Sequence, residues 1–260
     1  MGMIGSEIDR TQSNVLKPAA HGFMGRGGGI SVGRYAGLNV GLGSDDDKAD
    51  VLRNRQIAKE AVLPGSELMT VYQIHGTDVF HVTEKLPIEE RPKADAMVTA
   101  SPNILLGILT ADCVPVLFSD PEARVVGAAH AGWKGLLAGV LENTIEAMIG
   151  LGADASHISA AVGPCIGQRH YEVDQSFHDR FVEADGASKQ FFATGNADHF
   201  QFDLEGYAKH RLKRAKLDHV DVLGLDCYAD KSRFFSYRRA KADGAGGYGR
   251  QISLIGLAPE

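Results

Sequence analysis

Two histidines and one cysteine stand where the sequence pattern places the ends of strands. His75, Cys113 and His130 each close an apolar run, in the phrases QIHGTD, LTADCVP and AAHAGW. α/β sheets place their sites at strand ends. Imidazole nitrogen and thiolate sulfur are ligands that zinc prefers, and three protein ligands leave a fourth position for water or substrate. These residue types therefore indicate an open, catalytic zinc site.

The spacing of the three residues does not establish such a site by itself. The chain has no local CxxC or HExxH pattern around them, and those patterns are the specific signals for zinc. The alternative interpretation makes Cys113 a small buried hydrophobe and the two histidines hydrogen-bonded residues at strand ends. From the residues alone both interpretations stay open.

Four phrases, in this order, resemble the laccase-domain family: QIHGTDV, LGILTADCVPVLF, VGAAHAGWKG and GPCIG. Members of that family are called polyphenol oxidases, purine nucleoside phosphorylases or peptidoglycan editing factors. The resemblance extends from about His21 to the terminal GRQISLIGL. It implies that the catalytic metal ligands are His75, Cys113 and His130. It also implies a single-domain, four-layer α/β/β/α sandwich with mixed β sheets.

The resemblance implies several activities, of which one leads. We expect a zinc-dependent purine nucleoside phosphorylase, which converts adenosine or inosine and phosphate to the free base and ribose 1-phosphate, with adenosine deamination as a second activity. A metal- or cysteine-dependent amide hydrolase that edits peptidoglycan precursors is the first alternative. Copper-dependent polyphenol oxidation is the second, with copper able to replace zinc in vitro. A non-enzymatic binding module would need a fourth protein ligand, from His21, His81 or Asp112.

Three arginines next to glycine-rich or polar phrases are candidates for binding phosphate. Arg26 lies in GRGGGIS, Arg55 follows Asn54, and Arg250 follows the glycine-rich stretch 241–249. Guanidinium groups and exposed amides suit phosphate oxygens, although each arginine alone is more often an ordinary surface or ion-pair residue. The laccase-domain family commonly has Ser or Thr before the first of these arginines, where this chain has Gly25. That departure leaves the role of the early loop open.

Other residues near His75, Cys113 and His130 are weaker candidates for a place in the site. Trp133 directly follows the HAG motif. Its indole could form one wall of a purine pocket, or it could pack against the protein at the start of a helix. Asp112 could orient a ligand, but a structural role is equally consistent with its place beside Cys113. Cys165 and Tyr171 follow a turn that could reach the same cleft. We expect no catalytic role for Cys165 or Cys227, because buried reduced thiols act as small hydrophobes.

The surrounding pattern predicts an α/β layered domain. Apolar runs predict strands over 68–76, 95–100, 103–113, 114–119, 124–132, 157–163, 220–228 and 251–257. Periodic apolar positions predict helices over 46–61, 133–150 and 203–217, and another from about Asp174. Residues 1–14 are polar and aperiodic, so we expect a flexible N-terminal segment there and one catalytic domain over 15–260.

Composition excludes several classes of protein. The formal net charge is −6 and the basic residues are scattered, which argues against a nucleic-acid partner. No apolar run approaches the roughly 20 residues that span a bilayer, so no membrane partner is expected. Three cysteines without a secretory start argue against disulfides and for a cytoplasmic protein. The expected partners are a small-molecule nucleoside and phosphate, with no obligate protein partner.

Overall fold

The computed structural model describes residues 8–259. In chain order the strands are β1 Arg10–Thr11, β2 Ala20–Met24, β3 Glu67–Met69, β4 Val79–His81, β5 Ala96–Thr99, β6 Ile104–Thr110, β7 Val114–Asp120, β8 Val125–Ala131, β9 Ser159–Val162, β10 Glu172–Asp174, β11 Phe192–Thr194, β12 His199–Phe202, β13 His219–Val222 and β14 Gln251–Gly256. The helices are α1 Lys48–Val62, α2 Trp133–Ala138, α3 Val140–Gly150, α4 Gln175–Ala184, α5 Leu204–Arg214 and α6 Tyr237–Ala242.

Two mixed sheets form the centre of the molecule. One has the strand order β1-β2-β14-β6-β3, and the other has the order β13-β9-β7-β8-β5-β4. A core between the two sheets contains Leu106 and Ile108 from the first and Leu117 and Ala128 from the second. Successive side chains of a strand point to opposite faces, so Leu105 faces away from this core.

Helices cover the outer face of each sheet. Ala58 and Val62 of α1 pack with Leu105 and Leu254 on the first sheet. Residues of α3 and α5 pack on the second sheet, in a core that also contains Phe118. The layers therefore run α/β/β/α, which confirms the expected mixed α/β sandwich. A small third sheet, β10-β12-β11, extends it and packs with α4.

Strand register brings distant parts of the sequence to one end of the second sheet. In the antiparallel pair of β7 and β8, Val114 lies opposite Ala131 and Pro115 opposite His130. Cys113, directly before β7, is therefore close to His130. Strand β5 pairs with the other side of β8, with Ala96 opposite Ala129. This register places the start of β5 next to the same end of β8.

Most of the predicted elements occur, and three differ for local reasons. The strand predicted over 68–76 stops at Met69, and His75 lies in the following loop and not at a strand end, because the amides of residues 74–76 bond to Asp95. The helix predicted over 133–150 is not continuous, because Gly139 adopts a left-handed φ of 106° that ends α2 before α3 begins. The strand predicted over 220–228 stops at Val222, and Gly224 follows with a φ of 63°. Helix α6 replaces the start of the glycine-rich stretch 241–249.

The predicted N-terminal segment 1–14 lies partly outside the described residues, which begin at residue 8. Within it, Arg10 and Thr11 pair with Met24 and Phe23 of β2. Its boundary with the domain over 15–260 stays a prediction, and residue 260 is also outside the described residues. Across residues 8–259, none of the helices has the length and apolarity to cross a membrane.

Candidate metal centre and its two cavities

The structure brings the three candidate ligands together. The ligand atoms of His75, Cys113 and His130 all lie within 4.8 Å of one another. The Cys113 Sγ is 3.8 Å from the His75 Nε2. The two imidazole rings meet edge to face, with centroids 4.7 Å apart. We call these three residues the His-Cys-His group.

One member of the group lies in a strand of the second sheet, and the other two lie in connections between the two sheets. His130 lies in β8, where strand pairing fixes its backbone. Cys113 lies in the turn between β6 and β7, after Asp112, whose φ of 90° is unusual for a residue with a Cβ. His75 lies in the loop between β3 and β4 and also has a positive φ, 61°. Two turns, each with a residue in a sparsely populated backbone conformation, therefore bring the side chains of His75 and Cys113 close to His130.

A buried carboxylate, Asp95, organises the His-Cys-His group. Its Oδ1 is 2.7 Å from the His130 Nδ1 and accepts a hydrogen bond from the His75 amide at 2.9 Å. Its Oδ2 accepts from the amides of Ile74 and Gly76. Although burial opposes ionisation, these hydrogen bonds and the His130 charge hold the pKa of Asp95 below its usual range. Asp95 thus fixes one ligand ring and the loop that carries the other.

Cys113 and His130 shift each other's protonation. Burial opposes the Cys113 thiolate, but the His130 charge and hydrogen bonds from both histidines outweigh it and lower the pKa of Cys113 to about 6. Burial also opposes the His130 cation, but the Cys113 thiolate and Asp95 raise the pKa of His130 to about 9. The two shifts therefore favour the thiolate of Cys113 and the imidazolium of His130 in the absence of metal.

The donors of the His-Cys-His group fit a divalent metal of the zinc type. Two imidazole nitrogens and one thiolate are a donor set that zinc prefers, and a carboxylate on the distal nitrogen of a ligand histidine is the usual support. Among the described residues no fourth His, Cys, Asp or Glu joins the group. His21 instead bonds the Ser13 amide and the Ala19 carbonyl, and the Asp112 Oδ2 accepts from the Arg238 amide. This arrangement does not support the closed site of a binding module.

One cavity beside the group is rich in arginine. Its volume is about 350 Å³, and it is lined by all three members of the group together with Arg91, Arg250, Gln73, Tyr72, Tyr248 and the loop 41–43. The guanidinium of Arg250 lies 4.5 Å from the Tyr248 ring centroid and donates to its hydroxyl. We call this the arginine cavity. It offers positive charge beside the group, where an anion can bind.

A second cavity is also lined by members of the group. Its volume is about 260 Å³. Its lining includes the aromatic residues Trp133, Tyr171 and Tyr237, together with Asp112 and Arg238. We call this the aromatic cavity. His75 and Cys113 line both cavities, whereas His130 lines only the arginine cavity.

Two predicted phosphate ligands lie outside both cavities. Arg26 donates from Nε and Nη2 to the Ala36 carbonyl, and its guanidinium covers the ring of Phe235 at 4.4 Å. Arg55 is buried and donates to the Val40 carbonyl and the Thr70 hydroxyl. Burial lowers the pKa of Arg55 to about 10. Both arginines hold backbone near the site, whereas Arg250 and Trp133 line the cavities themselves.

The structure places at the site several residues that the sequence did not mark as candidates. Asp95, Arg91, Tyr248, Tyr237 and Arg238 all lie next to the group or line one of the cavities. Asp95 directly precedes a strand, which is the one signal that could have pointed to it. The others sit in loops or in the unpredicted helix α6, so no periodic pattern marks them.

Comparisons with known proteins agree with this fold. Residues 20–258 match the family described as multi-copper polyphenol oxidoreductase laccase. A Deinococcus radiodurans protein named purine nucleoside phosphorylase is 38% identical over 91% of this chain and 88% of its own length. The Escherichia coli protein named purine nucleoside phosphorylase YfiH is 35% identical over 88% of this chain and 90% of its own.

Solved structures show the same architecture. A Neisseria meningitidis protein superposes with a TM-score of 0.87 and 34% identity, covering 97% of this chain and 99% of the other. YlmD from Geobacillus stearothermophilus has a TM-score of 0.87 and 27% identity, covering 100% of this chain and 98% of its own. The chain therefore belongs to the laccase-domain family.

Proposed function

We propose that this protein is a zinc-dependent purine nucleoside phosphorylase. One observation carries the proposal: His75 and Cys113 of the His-Cys-His group line both a cavity with two arginines and a cavity with aromatic walls. Phosphorolysis needs an anion and a purine held on opposite sides of one ribose, and this site offers a subsite for each. The names of the Deinococcus radiodurans and Escherichia coli relatives support the same activity.

The arginine cavity would bind phosphate. Arg250 and Arg91 carry positive charge beside the group, and a guanidinium binds phosphate oxygens through paired, charge-assisted hydrogen bonds. Arg55 would support this subsite indirectly, because it holds Val40 and Thr70, which precede parts of the cavity lining. Arg26 would stabilise the early glycine-rich loop through the Ala36 carbonyl rather than contact phosphate.

The aromatic cavity would bind the purine base. Trp133, Tyr171 and Tyr237 provide flat apolar walls, on which a base can stack. A phosphate oxygen then forms a bond to the anomeric carbon of ribose as the bond to the base nitrogen breaks, and the departing base keeps the electron pair. Positioning and electrostatic stabilisation supply most of the catalysis in such a step.

His75, Cys113 and His130 would hold the zinc, with Asp95 fixing His130. When bound there, zinc supplies Lewis acidity, which can polarise the purine or activate a water and so allow adenosine deamination as a second activity. The protein residues bind and orient the reactants around it. Copper could occupy the same three donors in vitro, since divalent affinities peak at copper. One such group among the described residues gives little support to four-electron phenol oxidation.

A thiol-dependent amide hydrolase is the second candidate. Its support is the arrangement of Cys113, His130 and Asp95. The Cys113 thiol has a lowered pKa and lies next to His130, and the Asp95 carboxylate orients the His130 ring. Cell-wall precursors would be the substrates. Zinc binding would occupy the thiolate, so the two candidates require opposite metal states.

Product analysis tests the proposal. Zinc-loaded protein is incubated with inosine or adenosine, with and without phosphate, and the products are separated by chromatography. We expect free base and ribose 1-phosphate only when phosphate is present. Equal base release without phosphate would identify a nucleoside hydrolase, and inosine made from adenosine would show deamination. Turnover of an amide-bearing cell-wall precursor by metal-free protein, with no nucleoside turnover, would favour the second candidate.

A further inference from the structure

Arg238 occupies a position in the aromatic cavity that points to recognition of the base. It is the second residue of α6, and its backbone amide donates to the Asp112 Oδ2 at 2.6 Å. Its side chain lines the aromatic cavity together with His75 and Cys113. The residue beside the Cys113 ligand therefore anchors Arg238 in the wall of the base subsite.

Within the part of the chain that the structure describes, one nitrogen of the Arg238 guanidinium is hydrogen-bonded, and the other two are not. Its Nη1 donates to the Glu172 carbonyl at 2.9 Å, and its central carbon lies 5.2 Å from the Tyr171 ring centroid. Its Nε and Nη2 donate no hydrogen bond to any of residues 8–259. These donors are therefore free to bind a ligand, on a guanidinium that one hydrogen bond anchors and on a residue that lines the aromatic cavity.

A guanidinium can donate hydrogen bonds but cannot accept them. A guanidinium held in one position therefore favours bases that present acceptor atoms to it. The O6 and N7 of a 6-oxopurine are two adjacent acceptors, which a guanidinium contacts as a pair. Adenine has N7 but presents an amino donor in place of O6. We propose that Arg238 determines specificity by donating to O6 and N7, so that 6-oxopurine nucleosides such as inosine are the preferred substrates.

The same contact would assist bond cleavage. As the bond from ribose to base breaks, negative charge grows on the purine ring, including N7 and O6. The Arg238 guanidinium would stabilise that charge by hydrogen bonding. The inference rests on the proposed phosphorolysis and assigns its substrate class.

The test compares inosine with adenosine in wild type and in Arg238→Lys and Arg238→Met. Hypoxanthine and adenine are quantified separately at saturating phosphate, so that any deamination does not distort the ratio. We expect wild type to favour inosine by about tenfold or more in kcat/KM. Both variants should lose most of that preference, because lysine keeps the charge but not the paired donors. Arg180→Lys, the same change on the exposed face of α4, should leave the ratio unchanged.

The measured quantities separate this inference from the proposed function. A merely structural role of Arg238 would lower both activities together and leave the inosine-to-adenosine ratio intact, which would overturn the inference. A rise in the phosphate KM with an unchanged ratio would also overturn it, since Arg238 would then bind phosphate. Absence of phosphate-dependent turnover of any nucleoside by wild type would instead refute the phosphorylase itself. Melting temperatures confirm that the variants are folded.

Discussion

The Asp95 carboxylate lies 2.7 Å from the distal nitrogen of His130, and the same carboxylate holds the amide of His75. One buried side chain thus positions two residues that are far apart in the sequence. A carboxylate on the distal nitrogen also makes the imidazole a better metal ligand.

Asp95→Asn should weaken metal binding by about 10- to 100-fold, because the amide group cannot accept all the hydrogen bonds that the carboxylate accepts. Zinc affinity is measured by competition with a chromophoric chelator. Asp78→Asn, on an exposed carboxylate in the neighbouring loop, is the control and should bind zinc as wild type does. Equal affinity in Asp95→Asn and wild type would show that Asp95 does not support the site.

Wild type should contain about one zinc per chain, and Cys113→Ala should lose most of it, since the thiolate is one of three ligands. Cys165→Ala and Cys227→Ala are matched controls, because both thiols are buried and outside the His-Cys-His group. Elemental analysis measures the metal. Zinc retention by Cys113→Ala equal to that of wild type would remove Cys113 from the site.

Gly132→Ala should reduce zinc content without changing a ligand. A Cβ at residue 132 would lie 2.6 Å from the His75 Cδ2 and 3.4 Å from the Cys113 Sγ, so the His75 ring must move. Gly150→Ala is the control, because nothing lies within 4 Å of its added Cβ. Elemental analysis and thermal unfolding are compared for the two variants. Normal zinc content in Gly132→Ala would mean that His75 is not a ligand at its present position.

Arg250→Ala should raise the phosphate KM about tenfold or more while zinc content stays normal. The reason is that a lost hydrogen bond to a charged group costs roughly 1.5–3 kcal/mol. Arg180→Ala, on an exposed arginine of α4, should leave the phosphate KM unchanged. Steady-state rates at varied phosphate measure the effect. Loss of zinc together with the KM change would show that Arg250 acts on the metal centre instead.

Iodoacetamide should alkylate Cys113 selectively in metal-free protein at pH 7. The pKa of Cys113 is lowered to about 6, whereas burial raises the pKa of Cys165 and Cys227 well above the usual range. The Cys113 thiolate fraction falls as pH drops through 6, so alkylation should slow there. Peptide mass spectrometry locates the label, and added zinc should protect Cys113. Equally fast labelling of Cys165 or Cys227 would contradict the assigned environments.

The sequence by itself determined the ligand types and most of the elements. Histidine and cysteine at the ends of apolar runs indicated a metal site through their ligand types. Matching motifs identified the family, and the continuous apolar runs of β6, β7 and β8 predicted buried strands, because both faces of these strands are covered. These features depend on neighbouring residues and are therefore readable from sequence order.

Only the tertiary structure decided which polar residues join those ligands. Asp95 reaches His130 because β5 and β8 pair in one register, and Arg91 and Arg250 line one cavity because a loop and a distant strand end border it. Arg26 and Arg55 looked like anion ligands from their phrases, yet their side chains are bonded to backbone and to Thr70 outside both cavities. Such contacts depend on strand pairing and on packing between distant segments. The spacing of residues along the sequence does not determine that geometry.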